Sequence, residues 1–148
     1  MHTSRSLLAL PCCLLVLVLL LLGGCSGDPE KKKAVHYEKA MAYVQEKNPS
    51  AAIIELRNAI QVDPKYAAAR YQLGLLYLQA GEARNAFNEL QRAASLDPAN
   101  LDAKLKTAEF LLMGRDKEAA KKHAEEILAT KPDHVDALAL LATIHTAD

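Results

Sequence analysis

Polar and apolar positions divide the chain into three stretches. Leu7 to Leu22 is apolar without a single charge, and Arg5 is the only charged side chain ahead of it. Ser26 to Lys33, SGDPEKKK, brings glycine, proline and charges with no apolar periodicity, the composition of a short flexible tether. Beyond it alanine and leucine are interspersed with glutamate, lysine and glutamine, a mixture that favours helix over strand.

Within this third stretch Pro64, Pro98 and Pro132 each close a run that reads as helix, and they stand 34 residues apart. A fixed spacing of that size marks an internal repeat. Overlaying residues 33–66, 67–100 and 101–134 aligns Ala40 with Gly74 and Ala108, Tyr43 with Tyr77 and Leu111, Ala52 with Ala86 and Ala120, and Leu56 with Leu90 and Ala124. Small residues recur where two helices come close, and large ones where the gap between them needs filling. Gly81 can take the left-handed conformation that ends a helix, and it separates ARYQLGLLYLQA from EARNAFNELQRAASL. In the first copy Asn48 and Pro49 supply an N-cap and a first-turn proline for the second helix. Asp133, three residues before Asp136, predicts a capping arrangement for the next helix. Gly114 comes one position earlier than the repeat asks, which predicts a shorter turn in the third copy.

From Val135 a fourth copy begins, and Leu138, Leu140, Leu141 and Ile144 give its helix more apolar surface than one neighbour covers. Either a partner covers that surface or the natural chain continues, and continuation is the expectation.

The unit resembles the tetratricopeptide repeat, a helix-turn-helix of the same period. Leu73, Gly74, Tyr77, Gly81, Ala86, Leu90, Ala93 and Pro98 fall on positions that the family's pattern marks. Arg70 departs from it, since the family commonly has tryptophan or another apolar residue there. The resemblance implies an all-α solenoid of three repeats plus a terminal helix, following an N-terminal signal peptide. The expected organisation is a signal peptide over 1–24, a lipid-anchored flexible tether over 25–32, repeats over 33–66, 67–100 and 101–134, and the first helix of an incomplete fourth over 135–148.

A basic start followed by an apolar core is the layout of a secretory signal peptide. Its sixteen apolar residues rise about 24 Å as a helix, short of the roughly 30 Å hydrocarbon layer. Leu22-Gly23-Gly24-Cys25 resembles the lipobox of bacterial lipoproteins. That resemblance implies cleavage before Cys25, a diacylglyceryl thioether on its sulfur and acylation of the new amino terminus. Several acyl chains, at about 0.8 kcal/mol per buried methylene, anchor far more firmly than one. An uncleaved signal anchor is the rival reading. Ser26, where an aspartate is absent, implies by resemblance to Gram-negative lipoproteins an outer-membrane location facing the periplasm. Cys12 and Cys13 leave with the signal, so Cys25 then has no cysteine to pair with.

Charge adds little. Eighteen basic and eighteen acidic side chains cancel, and no overall positive field is available to hold nucleic acid. His2, His36, His123, His134 and His145 do not stand with a second histidine or cysteine at ligand spacing, so neither metal nor cofactor is expected. Ser50 and Ser95 lack a glycine elbow or an adjacent base, and no catalytic residue is assigned. His36 reads as a groove residue or as a lone half-buried histidine.

First helices of tetratricopeptide repeats line a concave surface. The resemblance places Tyr37, Met41, Val44, Tyr71, Leu75, Leu78, Leu105 and Leu112 on or near that groove, with Gln45, Gln79 and Glu109 between them. Tyrosine and methionine offer large, adaptable contact area to an extended or helical peptide. The same side chains serve equally as packing between helices. Chaperone-binding members grip a terminal carboxylate at positions that here hold Tyr37, Met41, Gln72, Asp102 and Lys106, of which only Lys106 fits, so capture of an acidic carboxyl terminus is not expected. The expected function is a non-catalytic scaffold, lipid-anchored in the bacterial envelope, that binds an envelope protein or peptide and neither nucleic acid nor metal. AAIIELRNAIQVDP behind the lipobox resembles repeat lipoproteins associated with exosortase sorting and exopolysaccharide export. A type IV pilus-assembly lipoprotein assisting a secretin, and an adaptor of a peptidoglycan hydrolase, are the alternatives.

Overall fold

A computed structural model describes residues 28–146. The expected signal peptide and Cys25 lie outside the described residues. Among the described residues the chain forms seven helices and no strand: α1 Pro29–Gln45, α2 Pro49–Val62, α3 Ala67–Gln79, α4 Ala83–Leu96, α5 Leu101–Met113, α6 Lys117–Thr130 and α7 Val135–Thr146. Each helix packs on its sequence neighbours, and α7 also touches α5. Burial therefore runs along the array, as it does in a solenoid.

The first helix starts earlier than the composition implied. The Asp28 side chain accepts from Glu30 N at 3.0 Å and Pro29 occupies the first turn, so residues 29–32, expected in the tether, are helical. Lys33 then ties this turn to the rest of the repeat through Asp63 Oδ2 at 2.7 Å.

Within every repeat the two helices are joined by the same turn. Asn48 N donates to Tyr43 O, Glu82 N to Tyr77 O and Asp116 N to Leu111 O, each at 2.9 Å, while the preceding residue donates to the carbonyl three back. This is a Schellman closure, and its left-handed position falls on Lys47, Gly81 and Arg115, with φ of 57°, 74° and 65°. The third turn is not shortened. Gly114 caps the helix at φ −75°, and Arg115 supplies the left-handed residue that the repeat requires.

Between repeats the chain reverses through four-residue turns with proline second. Tyr66 N donates to Asp63 O at 3.0 Å, Asn100 N to Asp97 O at 3.1 Å and His134 N to Lys131 O at 3.1 Å. The last residue of each turn precedes the next helix, and while Tyr66 makes no side-chain capping bond, Asn100 and His134 do. Asn100 accepts from Ala103 N at 2.9 Å, and His134 Nδ1 accepts from Ala137 N at 3.4 Å, so His134 and not Asp133 caps α7.

The core alternates small and large side chains. Ala40, Ala52, Leu56, Ala86, Leu90, Ala93, Ala108, Ala120, Ala124 and Ile127 are fully buried. Gly74 marks the closest approach: a Cβ there would stand 2.7 Å from Leu90 Cγ. The face that each first helix turns to the preceding repeat is apolar inside the array, with Ala69, Leu73 and Leu76 in the second repeat, all buried. At the start of the array the same positions hold Val35, Lys39 and Ala42, all exposed. At the other end Leu140 and Ile144 are buried and Leu141 packs on the core, while Val135 stays 74% and Leu138 48% exposed.

Candidate functional site

The expected groove residues stand on the first helices of the repeats, α1, α3 and α5, and α7 follows them in the array. Tyr37 and Met41 on α1 are half-buried and rest on the core of the first two repeats. The Tyr37 ring lies 5.3 Å from that of Tyr66, tilted by 49°, and Lys33 Nζ sits 5.1 Å above the Tyr66 ring. Val44 and Gln45 are exposed one turn further on. Val44 and Gln79 meet across the repeat boundary, where together with Lys47, Pro49 and Leu76 they line a cleft of about 360 Å3.

On α3, Tyr71, Leu75 and Leu78 are half-buried and Gln79 is exposed. Tyr71 packs against Ala93, Ala94 and Ala103, so its ring bridges the second and third repeats. Burial pushes its phenol pKa up, the Asp102 carboxylate adds to the rise and Lys106 pulls the other way. Asp102 and Lys106 therefore share one corner of the groove with Tyr71.

The third repeat departs from the expected lining. Leu105 is 5% exposed and enclosed with Ala137, Leu140 and Ile144, because α7 folds back onto α5 and covers it. Leu112 is half-buried against the same cluster. Glu109 is half-buried and accepts from Lys106 Nζ at 2.8 Å. The expected apolar wall thus runs along the first two repeats, and the third presents charge.

His36 is not a groove residue. Its Nδ1 lies 2.5 Å from Glu55 Oε2, between the two helices of the first repeat, and that contact holds the Glu55 carboxyl below the usual range. One repeat on, Arg70 occupies the matching position, 7% exposed. Its Nη1 donates to Glu89 Oε2 at 2.6 Å, and its Nε and Nη2 donate to Pro64 O at 2.9 and 2.7 Å. Lys104 follows in the third repeat, but His123 stands where the other repeats have glutamate, so Lys104 turns to Glu126 at 3.2 Å. His123 Nδ1 is left buried without a partner, and burial pushes its pKa down. Among the described residues no cluster of three or more histidine, cysteine, aspartate or glutamate side chains is arranged to hold a metal ion. None of their helices is long and apolar enough to cross a membrane.

Sequence reasoning missed Tyr66, Lys47 and Pro49 as neighbours of the groove. Lys47 and Tyr66 lie in turns and Pro49 opens a second helix, where the periodicity of first-helix positions gives no signal.

Two family models match the chain, one described as Tetratricopeptide repeat over residues 77–144 and one as TPR repeat over residues 40–81. Comparison with curated proteins finds no match. Among solved structures the chain is similar to the first TPR domain of Spaghetti (RPAP3) bound to the HSP90 peptide SRMEEVD, at 22% identity and a TM-score of 0.69, over 84% of this chain and 98% of that one. It is similar to MamA, at 23% identity and a TM-score of 0.68, over 78% of this chain and 67% of that one. The second TPR domain of human RPAP3, in complex with the HSP70 peptide SGPTIEEVD, gives 19% identity and a TM-score of 0.68, over 80% of this chain and 98% of that one. Identities at this level show the shared fold. Taken together, the two family models match residues from within α1 to the last turn of α7 as tetratricopeptide repeats, and the fold is a tetratricopeptide repeat solenoid.

Proposed function

We propose that this protein is a non-catalytic scaffold that holds a partner polypeptide along its concave face and is fixed to a bacterial envelope by acyl chains on Cys25. One observation carries the binding half of the reading. Tyr71, Leu75 and Leu78 are half-buried, Tyr71 and Leu78 packed on the core, and the three present an apolar strip with Gln79 exposed at its end. Such a strip offers contact area with little ordering cost on the scaffold's side. The fold neighbours that hold peptides support the same use. The anchor is supported by the lipobox resemblance of Leu22-Gly23-Gly24-Cys25, and a role in exopolysaccharide export or protein sorting by the resemblance of AAIIELRNAIQVDP to lipoproteins of those systems.

A photocrosslinking residue at Leu75 in cells tests the groove, with Asn88, exposed on α4, as the control position. A discrete crosslinked partner from position 75 and none from 88 is the expected result, and the partner's identity decides the process. Equal crosslinking from both positions removes the groove reading. Intact mass of the membrane-extracted protein tests the anchor: the expected species is Cys25 onward plus acyl chains, and an unmodified chain retaining Met1 to Gly24 removes the lipoprotein reading.

A further inference from the structure

At the groove positions of the first helices charged groups are few and mostly of one sign, while Lys33 and Lys47 lie at the edges of the first repeat, away from Asp102 and Glu109. In the register of the repeat, the charged groove positions on first helices are Glu38, Asp102, Lys106, Glu109 and Asp136. Lys106 is the one cation in that set, and Glu109 already holds it, at 2.8 Å from Oε2 and 3.2 Å from Oε1. Asp102 and Asp136 are exposed, and neither meets a cation at ion-pair distance among the described residues. Asp102 lies close enough to Tyr71 to act on its phenol, so the acidic corner is continuous with the apolar strip of Tyr71, Leu75 and Leu78.

We infer that the groove accepts a segment whose apolar side chains lie on Tyr71, Leu75 and Leu78 and whose neighbouring lysine or arginine meets Asp102 and Glu109. The inference rests on the groove reading above and adds the sign of the ligand. A basic side chain completes the corner by pairing with Asp102 and sharing Glu109 with Lys106. An acidic peptide, such as the EEVD ends held by the RPAP3 domains, would set carboxylates against carboxylates with Lys106 already engaged. Complementarity of this kind chooses partners more than it adds affinity. Partly exposed pairs with two carboxylates favour the basic ligand over the acidic one by about tenfold at low salt.

The test uses the full-length protein in detergent micelles and three fluorescent peptides that share one Leu/Tyr/Ala core and end in two lysines, two glutamines or two glutamates. Anisotropy titrations should rank them lysine, glutamine, glutamate, with the spread shrinking in about 0.5 M salt. Asp102→Lys combined with Glu109→Lys should reverse the order, and Asp102→Asn with Glu109→Gln should flatten it. Circular dichroism confirms that each variant keeps its helices, and the neutral pair serves where the reversed pair does not fold. Equal binding of the three peptides that Leu75→Lys abolishes overturns the basic-ligand inference and keeps the groove. Binding that Leu75→Lys leaves untouched overturns both, as does the absence of binding by any peptide up to about 1 mM.

Discussion

Arg70 is a guanidinium buried where the repeat ordinarily places an apolar ring, and its surroundings explain how it is tolerated. Two of its nitrogens bond the Pro64 carbonyl and a third bonds Glu89, so the charge joins the turn before α3 to the flank of α4. Glu89→Ala leaves that charge buried with no counter-ion, and a loss of about 3 kcal/mol is expected by urea denaturation. Arg70→Leu with Glu89→Leu restores the family's apolar contact, and the double variant should be at least as stable as the native protein. The departure at Arg70 was legible in the sequence. Its partner was legible only in retrospect: His36 with Glu55 and Arg70 with Glu89 share a spacing of 19 residues, but the third repeat breaks the pattern with His123. Leu105 was illegible for a different reason. Whether a first-helix leucine faces the groove or the core depends on how the following repeat is seated, and α7 seats itself over that side chain.

At the level of helices and turns, the three closures inside repeats are one structure made from different residues. Gly81 takes the left-handed conformation without cost to a side chain, while Lys47 and Arg115 take it with a Cβ present. Arg115→Gly should stabilise the third repeat by about 0.5 kcal/mol or slightly more, and Gly81→Ala, where a Cβ has open space, should cost about 1 kcal/mol through the backbone alone. Thermal unfolding of both variants checks the pair. Sequence reading made the third turn too short because it tied the left-handed position to glycine; geometry assigns that position by its distance from the helix end. The third repeat also carries the pH dependence. His123 on α6 has its pKa lowered by burial and faces Lys104 from α5 with Lys122 and Glu126 from its own helix. The unfolded chain takes up a proton there near 6.5 while the folded repeat resists, so the stability His123 contributes is full above that value and is lost as pH falls toward the lowered folded pKa. Amide protection factors, corrected for the intrinsic pH dependence of exchange, should fall in α5 and α6 as pH drops below about 6.5, more than in α1 and α2, and His123→Gln should remove the difference. Glu55 adds a separate, more acidic loss, below its ordinary value of 4.5, as its contact with His36 is protonated away.

Across the whole molecule the 34-residue period was enough to set the fold, because every helix buries itself against sequence neighbours and no distant pairing had to be guessed. The same arrangement sets how damage spreads. Leu90 is fully buried in the middle repeat, and Leu90→Ala should cost about 3 kcal/mol and loosen the repeats on both sides, whereas Ile144→Ala should loosen α7 and its contacts first. Hydrogen exchange resolved by helix distinguishes the two patterns. The outer faces of the first and last described helices are also unlike. α7 offers Val135 and Leu138 to solvent, and a second molecule arriving head to tail would have to meet it with the opening face of α1. That face carries Lys39 where the inner repeats bury Leu73 and Thr107. An apolar helix face laid on that surface would strand the Lys39 ammonium in a dry joint, so the lysine turns away the kind of head-to-tail contact that repeats without closing.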